Sequence, residues 1–163
     1  MKIELLLFQI SVGCGLIAWT AVSRAYVWPK IRDLDLAEGT KPLLYLNLFR
    51  YVGLMFMVQG LVSRDLPMEF GTTAGWGDLI TAALAGLTLL LARTKLFAFS
   101  LWIFNIVGLG DLLHAFYEAR VVLGINPADL GVAFYIPTVY VPLLLCTHVM
   151  IFLMLLKVPK KHW

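Results

Sequence analysis

Charge is scarce in this chain. Asp, Glu, Lys and Arg make up 14% of its 163 residues, against 61% hydrophobic ones. A soluble domain of this size needs far more polar surface, so that class is excluded. Cysteine is nearly absent: Cys14 and Cys146 stand far apart inside apolar runs. They show neither CxxC spacing nor a zinc pattern, and are expected to be buried apolar thiols. Histidine is also rare, and no HxxxH or similar ligand spacing occurs. A phosphate-cradling glycine loop is missing. No serine stands beside a histidine, so nucleophilic Ser/His/Asp catalysis lacks its parts. No internal repeat or low-complexity tract is present beyond the apolar bias itself.

What the chain does have is five long apolar runs. A membrane-crossing helix needs roughly 20 apolar residues at ~1.5 Å rise each. Five of them use most of the length and leave no room for a separate soluble domain. The expected fold is therefore all-α: one integral-membrane helical bundle of about five transmembrane helices over residues 1–163. The first helix is expected over residues 3–23. Glu4 spoils a basic signal-peptide n-region, and no small-x-small cleavage site follows, so this segment reads as a retained helix. The second is expected over 43–62. A loop follows over 63–77, read from Pro67, Gly71, Gly75 and Gly77. A short third helix spans 78–92. Arg93-Thr94-Lys95 leaves room only for a tight turn, which makes the fourth helix, over 96–119, an antiparallel neighbour. Asn126-Pro127 and Asp129 mark a turn and a short interfacial helix. The fifth helix is expected over 134–156, kinked or delayed near its start by Pro137 and Pro142.

The basic residues divide by side. Arg24, Lys30, Arg32, Lys41, Arg93, Lys95, Lys157, Lys160 and Lys161 fall on one side of such a bundle. Lys2, Arg64 and Arg120 fall on the other. That is nine against three, and basic connections stay cytoplasmic, which places the N-terminus outside and the C-terminus inside. The net charge of +3 thus reports topology, and nucleic acid is not an expected partner.

Ionisable residues within a span cost about 2.5–3.5 kcal/mol on insertion scales and persist only with partners or a role. Arg50, Asn105 and His148 sit on the second, fourth and fifth helices. From the residue rise all three lie roughly 10–14 Å in from the basic side. They are expected to share one interior polar layer, with Asn47 a turn before Arg50. A second layer lies further out: Asp111, with His114, Tyr117 and Gln59 expected around it. Gly108, Ala115 and Phe104 share one face with Asp111, and the small residues let a neighbour approach. Plainer readings compete at each position. Arg50 can snorkel to the interface. Asp78 suits a helix N-terminus, where a carboxylate caps. His114 fits a wet interface, and His148 a neutral interhelical hydrogen bond. Asp111 is short and cannot snorkel far, so only a structural hydrogen bond competes there.

The stretches Gly77–Ala83, Asn105–Leu113 and Ile136–Pro142, with Thr147-His148 beyond, resemble those of small, uncharacterised multi-pass bacterial membrane proteins. The resemblance covers about helices two to five. It implies a bacterial inner-membrane protein and carries no activity with it.

Three function classes follow. The first is a protein that binds or translocates a small amphipathic or lipid-like ligand in an intramembrane polar cavity. Its candidate ligand-binding residues are Asp111, His148, Arg50, Asn105, Gln59, His114 and Tyr117. The second is a membrane enzyme or redox accessory using Asp111 and His148 as acid and base. The third is a structural accessory subunit of a membrane complex. The first is preferred. No catalytic or metal-binding residue is assigned, and the cofactor is unknown. A haem held by two histidines is disfavoured, because His114 and His148 are offset by roughly 10 Å along the bundle. The expected partners are membrane lipids and either further copies of the chain or a larger membrane complex.

Overall fold

The computed structural model describes residues 3–157. The basic positions Lys2, Lys160 and Lys161 lie outside the described residues. The chain is an all-α bundle. Helix α1 (Ile3–Val22) runs through a π-helical turn (Ser23–Val27) into the short α2 (Trp28–Ile31). Helix α3 (Leu36–Leu48) passes into a 3₁₀ segment (Phe49–Met57). Helix α4 is Met68–Leu90, and α5 (Phe97–Tyr117) ends in a π-helical turn (Glu118–Val122). A 3₁₀ segment (Pro127–Phe134) and a π-helical turn (Ile136–Tyr140) lead into α6 (Val141–Leu155). Four of the resulting rods are long and apolar enough to cross a membrane: Ile3–Ile31, Met68–Leu90, Phe97–Val122 and Ile136–Leu155. The rod formed by α3 and its 3₁₀ extension packs among them, chiefly against α4 and α6.

Three expected boundaries are corrected. The second helix starts at Leu36, with Pro42 inside it, and ends at Met57. The region 63–77 is not one loop, because α4 begins at Met68. Its glycines mark close packing within a helix: a Cβ at Gly71 would stand 2.6 Å from the Phe56 carbonyl oxygen. Cys14 is exposed on the outer face of α1, where an apolar thiol meets the surroundings of the bundle. The tight turn between α4 and α5 and the short helical segment at Pro127 are present as expected. Asn126 Oδ1 accepts from the Ala128 amide and starts that segment. Gly131 then reverses the chain at φ 52°, a left-handed conformation that suits glycine. The two connections at this end are zipped by Val132 N–H to Leu61 O and Ser63 N–H to Asp129 O, both 2.9 Å.

The core is split in two. One apolar cluster contains Ile31, Leu43, Leu44, Ala85, Phe97, Leu101, Phe104, Ile151 and Met154. The other contains Phe8, Phe56, Phe70, Ala74, Leu112, Leu130, Ile136 and Leu144. Between them in each rod's sequence lie buried polar residues: Asn47, Arg50, Asp78, Thr81, Asn105, Thr147 and His148.

Candidate functional site

Arg50 is the second residue of the 3₁₀ segment and is fully buried. Its guanidinium reaches three neighbouring helices. Nε donates to Asp78 Oδ1 on α4 at 2.8 Å, and Nη2 donates to Asp111 Oδ2 on α5 at 2.5 Å. Nη1 points at the Gly108 carbonyl oxygen at 3.1 Å and at His148 Nε2 on α6 at 3.3 Å. The local backbone makes this reach possible. At the change from α to 3₁₀ geometry the rod tightens, and the Tyr140 hydroxyl donates to the carbonyl of Leu46 at 2.8 Å, anchoring the junction.

Arginine only donates, so His148 Nε2 accepts. The ring proton therefore sits on Nδ1 and is given to Asn105 Oδ1 at 2.8 Å. Asn105 Nδ2 donates in turn to the His148 carbonyl at 3.2 Å. The imidazole is neutral, and Phe104 covers it at 5.3 Å between ring centroids. One turn away Asn47 Nδ2 donates to Thr147 Oγ1 at 3.0 Å, pinning α3 to α6. With His148 neutral, one guanidinium faces two carboxylates. Each carboxylate uses one oxygen on Arg50, and no hydrogen bond to the other is formed among the described residues. With both carboxylates ionised, the cluster carries one negative charge more than positive.

Two glycines make room for the acids. A Cβ at Gly53 would collide with the Asp78 carboxylate, and one at Gly77 with that of Asp111. Side chains there would drive the acids off the guanidinium.

The structure thus brings Arg50, Asn105, His148 and Asp111 together and merges the two expected layers into one network. The outer shell around Asp111 is corrected. Gln59 lies exposed in a turn beyond Met57. His114 is 60% exposed in its side chain and faces Glu118 at 3.9 Å, and Tyr117 points outward. Helical geometry explains this: positions three and six beyond Asp111 turn progressively away from the face that meets Arg50. Asp78 is also corrected. It lies ten residues inside α4, 7% exposed, as an ion-pair partner and not a cap. Sequence reading missed it because the helix start was placed too late. The Gly71, Gly75, Gly77 series was the available signal.

Beside the network is a cavity of about 60 Å³. Its walls are Phe8, Phe56, Phe70, Leu112, Phe116 and further apolar groups, and Asp78 and Asp111 reach its surface. Arg120 lines it too, ~13 Å along α5 from Asp111 by helical rise. Ile125, Pro127 and Leu130 of the zipped connections complete the lining. His148 does not line it. Among the described residues no group of three His, Cys, Asp or Glu side chains is placed to hold a metal ion.

Residues 7–156 match the family described as "Domain of unknown function (DUF8737)". The match spans most of the chain, which belongs to that family. No curated protein and no solved structure matches it.

Proposed function

We propose that this member of a family of unknown function is an inner-membrane protein that holds a small amphipathic ligand in the cavity beside Arg50. One observation carries the reading: an apolar, Phe-lined cavity meets two carboxylates that share a single guanidinium. At about 60 Å³ the cavity is well below the ~300–1,000 Å³ of drug-sized sites, so only a short apolar part of the ligand packs there against Phe8, Phe56, Phe70 and Phe116. Its polar end is a hydrogen-bond donor or a cation, because it meets Asp78 and Asp111, whose second oxygens take no donor among the described residues and which, when both are ionised, outnumber the one guanidinium they share. Translocation, if the ligand moves, runs between this cavity and the zipped connections at the Leu61–Val132 end. The basic asymmetry supports a C-terminus in the cytoplasm, with the Ile31–Phe97 end of the bundle facing inward.

The acid–base reading has less support. His148 has both ring nitrogens occupied and is walled off from the cavity. The accessory-subunit reading draws on the same network as a staple between helices, and one experiment separates it from ligand binding. The protein is purified in mild detergent and its copurifying small molecules are read by unbiased mass spectrometry, for the wild type and Asp111→Asn. Asparagine keeps the shape and accepts from Arg50. The expected result is a ligand present in the wild type and lost in the variant, with the melting temperature nearly unchanged. A wild-type preparation free of any bound molecule speaks for the staple.

A further inference from the structure

A second cavity lies at the opposite end of the bundle, between the rod of α1 and α2 and helix α6. Its volume is about 650 Å³, within the range of small-molecule sites. The two helices meet closely at Gly15, where a Cβ would stand 3.1 Å from Pro142 Cγ. Trp19 Nε1 holds the same region by donating to the Val139 carbonyl at 2.9 Å. Beyond this contact the cavity runs from Leu16 and Leu145 to Trp28 and Leu153.

Its two walls differ: α6 supplies apolar groups beside Cys146, and the polar side chains stand on the rod of α1 and α2. Leu16, Leu145, Val149 and Leu153 form an apolar part, and Arg24, Arg32, Ser23 and Thr20 supply the polar part. The π-helical turn Ser23–Val27 carries Ser23 and Arg24 of the polar wall. Such insertions re-aim side chains and recur at functional positions. Arg24 forms no ion pair among the described residues. Arg32 contacts Asp33 through Nε, at 3.1 Å and in an exposed setting, and its terminal nitrogens form no hydrogen bond among the described residues. Planar guanidinium groups bind phosphate oxygens in pairs of hydrogen bonds. Trp28 is half-buried at the same level, as tryptophan is at a headgroup boundary.

We infer that this cavity is a binding site for an anionic phospholipid, with its phosphate between Arg24 and Arg32 and an acyl chain against Leu16, Leu145, Val149 and Leu153. A free phosphate has no use for the apolar part, and a zwitterionic lipid brings a cation that two guanidinium groups repel. The site shares no residue with the Arg50 cavity and stands independently of the function proposed for it.

The test is native mass spectrometry of the full chain in mild detergent. An equimolar mixture of phosphatidylglycerol and phosphatidylcholine with identical acyl chains is added. The wild type is expected to retain phosphatidylglycerol preferentially. Arg24→Gln combined with Arg32→Gln should weaken that retention by about 20-fold, the order expected for two lost basic contacts. Neutralising Arg93 and Lys95, in the turn between α4 and α5, should leave it unchanged. Should the double variant fold poorly, Val149→Trp fills the apolar part with both arginines intact, and the same loss is expected. Equal retention of the two lipids by the wild type would overturn the inference, as would unchanged retention in these variants. Full competition by inorganic phosphate at the lipid's concentration would assign the arginines to a free anion instead. A dimer that the double variant dissolves, with no lipid bound, would assign the groove to a second copy of the chain.

Discussion

Arg50 is the residue on which the buried network converges. Removing the one cation of this cluster should cost about 3–5 kcal/mol, because two buried carboxylates are then left uncompensated. Arg50→Gln is therefore expected to lower the melting temperature of the detergent-solubilised protein steeply. Arg50→Lys should rescue little of it. A single ammonium cannot reproduce a fork whose Nε, Nη1 and Nη2 serve Asp78, Gly108 and Asp111 in different directions. A lysine variant that melts with the wild type would refute the forked geometry. His148 carries a second expectation at this scale. Its Nε2 accepts from Arg50, so nitrogen NMR of the labelled protein should show the neutral tautomer protonated at Nδ1. A ring protonated at Nε2 would contradict the hydrogen-bond order. Both residues were singled out by the sequence, since polar groups at matched depth on different helices invite one another. Asp78 was not, because its depth depends on where α4 begins.

Among the elements, α4 and the 3₁₀ segment form the most extensive packed pair. They fit because Gly53 stands opposite Asp78, and α4 meets α5 in the same way with Gly77 opposite Asp111. Gly77→Val and Gly53→Val should each displace a carboxylate from Arg50 and destabilise the protein by at least the ~1–3 kcal/mol of ordinary overpacking. Gly110→Ala is the control. Nothing lies within 4 Å of a Cβ there, and alanine favours the helix, so stability should hold or rise slightly. Chemical unfolding in detergent compares the three. Equal stabilities would mean that the glycines do not set the approach of α4 and α5 to Arg50. Element identity was legible from the apolar runs for α1, α5 and α6. The second and third boundaries were not. Glycine and proline mark loops in water, but inside a packed bundle they permit close contact between helices, and one sequence does not distinguish those uses.

For the whole molecule, the split core and the segregation of basic residues describe the same arrangement. The connections that carry Arg32 and Arg93 lie near the Ile31–Phe97 cluster, together with Lys157, which donates to the Arg32 carbonyl. Arg64 and Arg120 lie toward the other cluster. A reporter active only in the cytoplasm, fused at the C-terminus, should give signal. The same reporter inserted next to Arg64 should stay dark. The reverse pattern would invert the proposed orientation and move the Arg24–Arg32 cavity to the outer leaflet.

Composition and run length by themselves determined that this is an all-α bundle with the character of a membrane protein. The energy of placing apolar residues depends on how many there are and how long they run, not on their neighbours. Polar residues inside those runs also marked where an interior network had to be, since each needs a partner once water is absent. Which partners they find is a matter of rotation and crossing of whole helices. Only the tertiary structure placed Asp78 beside Asp111, turned His114, Tyr117 and Gln59 away, and set one arginine between two acids at the edge of an apolar cavity. Those relations join residues far apart in the chain, and their geometry rests on glycine contacts and on a change of helical pitch at Arg50, neither of which leaves a periodic trace in the sequence.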